Sequence, residues 1–256
     1  MSERSVKLTA IPDMPLVKPG DDLAALLISA LERAGMTPAT QDILVVAQKI
    51  VSKAEGRYVD LAQVVPSARA RSLGCAVDKD PRLVELILAE SEEVVSHRPG
   101  VLVVAHRLGV VLANAGIDQS NLDPDGKGEQ VLLLPVDPDA SAAALRAGLQ
   151  RRYAVDLAVI ISDSVGRPWR IGTVGIALGA AGLPAVRDLI GRADLRGRPL
   201  QVTQTGFGDE LASAASLLMG QADEGLPAVL ISGLAWRAPH ATARALQRPK
   251  EQDMFR

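Results

Sequence analysis

The sequence predicts an α+β fold, with mixed sheets and helices. Three observations lead there. Apolar residues recur at helical spacing in some segments and form short runs of strand length in others. Two strand-like runs near the middle pair as a hairpin, and strands do not alternate strictly with helices, which disfavours a doubly wound parallel sheet. The core must also be aliphatic: 48% of the 256 residues are hydrophobic, yet there are only two Trp, two Tyr and two Phe.

Each element has its own warrant. Residues 21–34 carry Leu23, Leu26, Leu27, Ala30, Leu31 and Ala34 on one helical face; Asp21 or Asp22 can accept from the first free N–H groups, and Gly35 suits the end. Residues 43–47 are an apolar run of strand length, followed by a polar stretch over 48–57. Helices are expected over 66–74 and 80–94, the second with Asp80 as N-cap and Pro81 at the first helical position. Residues 101–105 and 110–113 read as a hairpin around Arg107-Leu108-Gly109, and a polar loop over 114–128 holds Asp118, Asp123 and Asp125. A strand over 131–134, a helix over 141–152 and a buried strand over 157–162 that ends at Asp163 come next. Gly166, Gly172, Gly175, Gly179 and Gly182 then mark places where backbone can approach a ligand or another chain. A strand over 200–205, a helix over 209–219 and a strand over 228–232 precede a polar, loosely held tail from Arg237. With no repeat and no linker, residues 1–256 are expected to form one unit of two closely packed, interleaved subdomains.

Composition excludes several classes. Lys plus Arg is 28 against 30 for Asp plus Glu, a formal net charge of −2. That balance, with so few aromatic platforms, argues against nucleic acid as a partner. A lone Cys75 cannot form an internal disulfide, which suits a reducing compartment. The first residues lack the apolar core of a secretory signal, and no apolar run approaches the roughly 20 residues of a membrane span. The expectation is a soluble, cytoplasmic protein without membrane partners.

Standard site motifs are missing. There is no G-x-x-x-x-G-K-[ST], no G-x-S-x-G, and Gly206-Phe207-Gly208 lacks the third glycine of a dinucleotide fingerprint. One Cys and three scattered histidines, His97, His106 and His240, disfavour zinc. Asp123-Pro124-Asp125-Gly126 reads as a turn, since the later ligands of a calcium loop are missing.

What remains is a set of polar segments at the ends of apolar runs. Asp163-Ser164, with Gly166-Arg167-Pro168-Trp169-Arg170 behind it, offers hard oxygens for a divalent ion and guanidinium forks for phosphate; it reads equally as a surface ion pair with a turn. The stretch 114–121 offers the Asp118 carboxylate among amides, and in isolation reads first as an Asx-rich loop. Gln48-Lys49 and the stretch 52–57 bring Lys53 and Arg57 as possible phosphate partners, or form a solvated face. The stretch 219–227 can form a phosphate-cradling nest or a simple connection stopped by Gly220. Asp209-Glu210 reads as a helix N-terminus set on the dipole.

Together these segments resemble one family, the coenzyme F420-0:γ-glutamyl ligases. The landmarks run in order along nearly the whole chain: residues 15–23, 51–57, 114–121, 162–172, and 209–212 leading into 218–220. The resemblance implies a family-specific α+β ligase fold and a GTP-dependent amide ligase. Such an enzyme joins L-glutamate to F420-0 and then adds γ-linked glutamate through an acyl phosphate, releasing GDP and phosphate. It implies two divalent ions per subunit, Mn²⁺ or Mg²⁺, a monovalent cation such as K⁺, a homodimer, and no covalent protein nucleophile. Asp118 and Asp163 resemble ligands of one metal; Ser164 and Gln221 resemble ligands of the other. Met14, Pro15, Leu16, Val17, Gln48, Lys49, Lys53, Asn121, Met219, Gly220, Ala222, Asp223, Glu224, Gly225 and Leu226 resemble the GTP site. Arg167 and Arg170 are candidate phosphate or substrate contacts, and Trp169 between them is expected to serve the site rather than the core. Gln221 departs from the family, whose archaeal members have Glu there; an amide oxygen is a weaker ligand for a hard dication. No flavin-reductase domain is expected after the ligase part. The alternatives are a ligase of the same fold acting on another carboxylate and amino acid, and a non-catalytic GTP-binding module.

Overall fold

The structure is a computed structural model describing residues 5–119, 129–237 and 239–254. Strand β1 (Lys7–Ala10) leads to helix α1 (Leu23–Arg33), where Asp22 accepts a hydrogen bond from the Ala25 N–H. Strand β2 (Ile43–Ala47) runs directly into helix α2 (Gln48–Ala54). Next come β3 (Tyr58–Asp60), α3 (Ala68–Val77), α4 (Pro81–Ala89), and the strands β4 (Ser91–Arg98), β5 (Val101–His106) and β6 (Val111–Ala113). Strand β7 (Gln130–Leu132) precedes α5 (Pro138–Tyr153) and the long pair β8 (Ala158–Arg167) and β9 (Arg170–Ala181). Short strands β10 (Arg187–Asp188) and β11 (Gln204–Thr205) lead to α6 (Phe207–Met219) and β12 (Ala228–Ser232).

The central sheet has the order β1-β12-β2-β8-β9. Only β2 and β8 are parallel neighbours; the other pairs are antiparallel. The period of two splits each strand between two cores. Leu44, Val46, Val159 and Ile161 pack with Leu27 and Leu31 of α1 and Leu149 of α5 on one face. Ile43, Val45, Ala158 and Ile160 pack with Phe207, Leu211 and Ala215 of α6 on the other. Burying each such aliphatic side chain contributes roughly 1.5–3 kcal/mol. A third cluster joins Val77, Val84 and Ile87 of α3 and α4 to Leu102 and Val104 of β5, over the sheet β4-β5-β6. The outcome is the α+β class that the pattern predicts.

Several expectations need correction. Residues 80–94 are not one helix: α4 stops at Ala89, and Ser91 begins β4, paired with β5. β-branched Val94 and Val95 suit a strand, and the hairpin partner decides the matter. The helix expected over 66–74 is α3, which starts two residues later because Ser67 caps it, accepting from the Ala70 N–H, and runs on to Val77. Of residues 200–205 only Gln204–Thr205 pairs as strand. The buried strand does not end at Asp163; it continues to Arg167, and the glycine-bearing stretch after it is β9, the longest strand described. Gly175 explains why so small a residue sits there: a Cβ would overlap the carbonyl oxygen of Ala212 in α6. The tail is held rather than loose. The Ala243 N–H donates to Asp139 Oδ1 at 2.9 Å, and Gln247 Nε2 donates to the Leu108 carbonyl at 2.5 Å. Among the described residues, no helix is long and apolar enough to cross a membrane.

Candidate functional site

A cleft of about 830 Å³ opens where β2 ends and its parallel pairing with β8 stops, while β8 itself runs on to Arg167. Ala47 and Ser162 are register partners, so the next residues on each chain, Gln48 and Asp163, emerge side by side. Crevices beyond the carboxyl ends of neighbouring parallel strands are a recurrent place for ligands. Here β2 turns into α2, which supplies Gln48, Lys49 and Lys53, while β8 supplies Asp163 and Ser164.

Asp118 reaches the cleft from the segment after β6. Three successive residues there, Asn114, Ala115 and Gly116, have φ of 51°, 53° and 65°. The left-handed region costs a non-glycine residue roughly 1–2 kcal/mol, and at Gly116 a Cβ would also lie 2.9 Å from Leu134 Cδ2. The turn aims the chain so that Asp118 and Leu132 exchange both backbone hydrogen bonds, at 2.9 and 2.8 Å, which fixes the aspartate. Its Oδ2 pairs with Lys49 Nζ at 2.7 Å.

Asp163 is the most perturbed carboxyl of the cleft. Desolvation by burial is the main cause, and the neighbouring Asp118 carboxylate adds to it; the Ser164 N–H, Lys49 and Gln48 oppose both. The carboxyl is pushed up to about 6. Its Oδ1 accepts from the Ser164 N–H at 2.8 Å. Ser164 Oγ in turn accepts from Gln221 Nε2 at 2.8 Å, which leaves the Gln221 carbonyl oxygen as a possible donor to a cation.

The loop after α6 closes the cleft. Gly220 ends the helix with φ of 69°, and the exposed Glu224 carboxylate accepts from the Ala222 N–H at 2.8 Å. Hydrogen bonds from backbone N–H groups hold the Glu224 carboxyl below its ordinary range. The side chain thus takes part of the backbone nest that the sequence offered to phosphate.

Met14, Pro15, Leu16, Val17, Gln48, Lys49, Lys53, Asp118, Asp163, Ser164, Met219, Gly220, Gln221, Ala222, Asp223, Glu224, Gly225 and Leu226 all line this cleft. Asn121 lies outside the described residues, as does the turn at 123–126. Arg167 and Arg170 do not line it. They flank the tip of the β8–β9 hairpin, where Arg167 donates to the Gly172 carbonyl at 3.0 Å. Trp169 sits at that tip with φ of 56° and is 82% exposed, in neither cleft nor core. Ser162 and Ser216 line the cleft without having been named as site residues, and Gly175, one of the glycines expected to allow close approach, lines it too. The signal for Ser162 was its place one residue before Asp163; Ser216 owes its place to helix docking, which no local pattern shows.

The donor set suits a hard dication: two carboxylates, a hydroxyl and an amide oxygen. Two crowded carboxyls, one of them raised by burial, are relieved by a positive charge between them. Among the described residues no three His, Cys, Asp or Glu side chains gather as a complete metal cage. An ion held here would share its coordination with water or substrate oxygens, as ions that serve phosphates do.

A family model described as F420-0:Gamma-glutamyl ligase matches residues 12–233. A protein of Methanothermobacter thermautotrophicus named coenzyme F420:L-glutamate ligase is 47% identical over 253 residues, covering 98% of this chain and 99% of the relative. Proteins of the same name from Methanopyrus kandleri and Methanocaldococcus jannaschii are 44% and 39% identical, over 98% and 99% of this chain and 98% of each relative.

Proposed function

Because the chain belongs to the F420-0:γ-glutamyl ligase family, we propose that it is a ligase joining L-glutamate to F420-0 at the expense of GTP, and then adding γ-linked glutamate. The observation that carries this reading is the single cleft: every described residue of the nucleotide and metal sets lines it. In the reading, a carboxylate oxygen of the acceptor attacks the γ-phosphorus of GTP and GDP leaves. The glutamate amine then attacks the acyl phosphate; phosphate leaves with the carboxyl oxygen and the amine loses one proton.

The protein's own contribution is positioning and charge neutralisation. Lys49 and Lys53 on α2 face the phosphates as point charges. In the same reading the glycine-bearing loop over 219–226 lies along the nucleotide, and residues 14–17 add an apolar part of the cleft lining. Asp118 and Asp163 would hold one divalent ion, Ser164 and Gln221 the other, Mn²⁺ or Mg²⁺ in each case. Such ions neutralise phosphate oxygens and hold donor and acceptor in line. A monovalent cation such as K⁺, a homodimer and a cytoplasmic setting belong to the same reading.

The test is a product mass. F420-0, GTP, Mn²⁺, K⁺ and L-glutamate are incubated with the protein, and products heavier by successive glutamyl units are expected. No mass increase across varied divalent and monovalent cations would overturn the proposal. Release of phosphate with another carboxylate and amine would point to a different acceptor on the same chemistry.

A further inference from the structure

We infer that Ser52, a buried residue outside the cleft, is a positioning residue for the Asp163 carboxylate and acts through the side-chain amide of Gln48. This rests on the proposed reading of Asp163 as a metal ligand. Ser52 is 0% exposed and does not line the cleft. It sits one helical turn beyond Gln48 on α2, and its Oγ donates to Gln48 Oε1 at 2.9 Å. Gln48 is itself only 5% exposed. A buried amide has two ends of nearly equal shape, and only its hydrogen bonds decide which way each points. The Ser52 hydroxyl fixes Oε1 as the end turned inward. The Nε2 end therefore faces the strand β8, where the Asp163 side chain is hydrogen-bonded to Gln48.

The arrangement is rigid at both ends. The β2–β8 register places Gln48 beside Asp163, and α2 begins without a loop, so the amide cannot drift along the strand. With Gln48 on one side and the Ser164 N–H on Oδ1, the carboxylate is held in one orientation. Groups that orient a metal ligand in this way matter nearly as much as the ligand itself. Without the hydroxyl the amide can turn over and set its carbonyl oxygen against the carboxylate, so that an attraction becomes a repulsion.

The experiment reads Mn²⁺ affinity on the intact protein, from free Mn²⁺ by electron paramagnetic resonance, with thermal melting alongside. Ser52→Ala, Gln48→Met, the double variant and Asp163→Asn are compared with wild type. Ser52→Ala is expected to weaken Mn²⁺ binding about tenfold, the usual loss when an orienting partner is removed. The double variant is expected to be no weaker than the weaker of the two singles, because both changes cut one chain of hydrogen bonds. Ser52→Cys, close in volume and a poor donor, replaces Ser52→Ala if that variant does not fold, and Ser52→Thr should restore binding. A loss under about threefold in Ser52→Ala, while Asp163→Asn loses binding, would overturn this inference alone. Losses that add in the double variant would do the same. If wild type does not bind Mn²⁺, or Asp163→Asn binds as wild type does, the metal reading of Asp163 fails and this inference falls with it.

Discussion

Lys49 Nζ lies 2.7 Å from Asp118 Oδ2, tying the helix after β2 to the left-handed turn after β6. The pair is partly exposed, with side chains 28% and 21% accessible, so it contributes about 1 kcal/mol or less to stability. Its weight lies in the cleft. Lys49→Met is expected to melt close to wild type while raising the KM for GTP about tenfold, the loss for one charged hydrogen bond. Initial rates across GTP concentrations check this.

Asp163→Asn should separate activity from stability. The carboxyl is desolvated and crowded by Asp118, so its charge is costly in the absence of a cation. The neutral amide removes that cost while keeping the shape. Turnover is expected to fall on the order of 100-fold, as when a catalytic electrostatic contact is lost. Thermal melting in metal-free buffer is expected to stay level or rise.

Glu90 carries a prediction about acid. Its carboxylate is buried and lies 3.1 Å from Arg57 Nη2, 2.9 Å from Arg107 Nη2 and 3.6 Å from His106 Nε2. Burial works to raise it, but His106 and the two guanidiniums prevail and hold it below the ordinary value of 4.5. A carboxyl whose folded pKa is depressed adds stability above its unfolded pKa and loses it as pH falls through the folded one. Wild type should therefore lose stability below about pH 4.5. Glu90→Gln should be about 2 kcal/mol less stable at neutral pH, with a flatter acid limb, because the buried carboxylate loses its charge-assisted hydrogen bonds to the partly exposed Arg57 and the exposed Arg107. Urea unfolding across the pH range reads both.

Gly175→Ala is expected to destabilise by about 2 kcal/mol or more, since the added methyl overlaps the Ala212 carbonyl and must push α6 off the sheet. Ser216 and Met219 on α6 line the cleft, so GTP affinity should weaken as well. Chemical denaturation and nucleotide titration of the same sample measure the two effects.

The hairpin tip offers a contrast. Arg167→Ala and Arg170→Ala are expected to leave the KM for GTP within about twofold of wild type, a difference well under 1 kcal/mol, because neither lines the cleft. Steady-state kinetics of each variant decide it.

Much of this was legible in the sequence. Helix α1, strand β2 and strand β12 follow from periodicity and caps. The cleft residues are short polar stretches at the ends of apolar runs; that placement made Asp163, Lys49 and the loop after Met219 candidates, and the family resemblance turned each toward metal or nucleotide. What stayed hidden depended on pairing across long distances. Residues 91–94 look helical until β5 lies beside them. β9 is rich in glycine, which weakens any local strand signal, and the reason for Gly175 is a helix that meets the strand only in three dimensions. Arg167 and Arg170 were placed in the site by nearness to Asp163 in sequence; a strand advances roughly 3.3 Å per residue, so a few positions carry a side chain clear of the cleft.

The strand order also bears on how the molecule comes into being. The first strand finds its partner in the last: β1 pairs only with β12, and β12 in turn pairs with β2. During synthesis residues 7–10 must wait, unpaired, until residues 228–232 have left the ribosome, and the loop over 219–226 that closes the cleft arrives just before them. Closing contacts so distant in sequence makes folding slow and late. A nascent chain of this topology therefore completes the walls of its cleft near the end of its synthesis, in one step with the closing of its sheet.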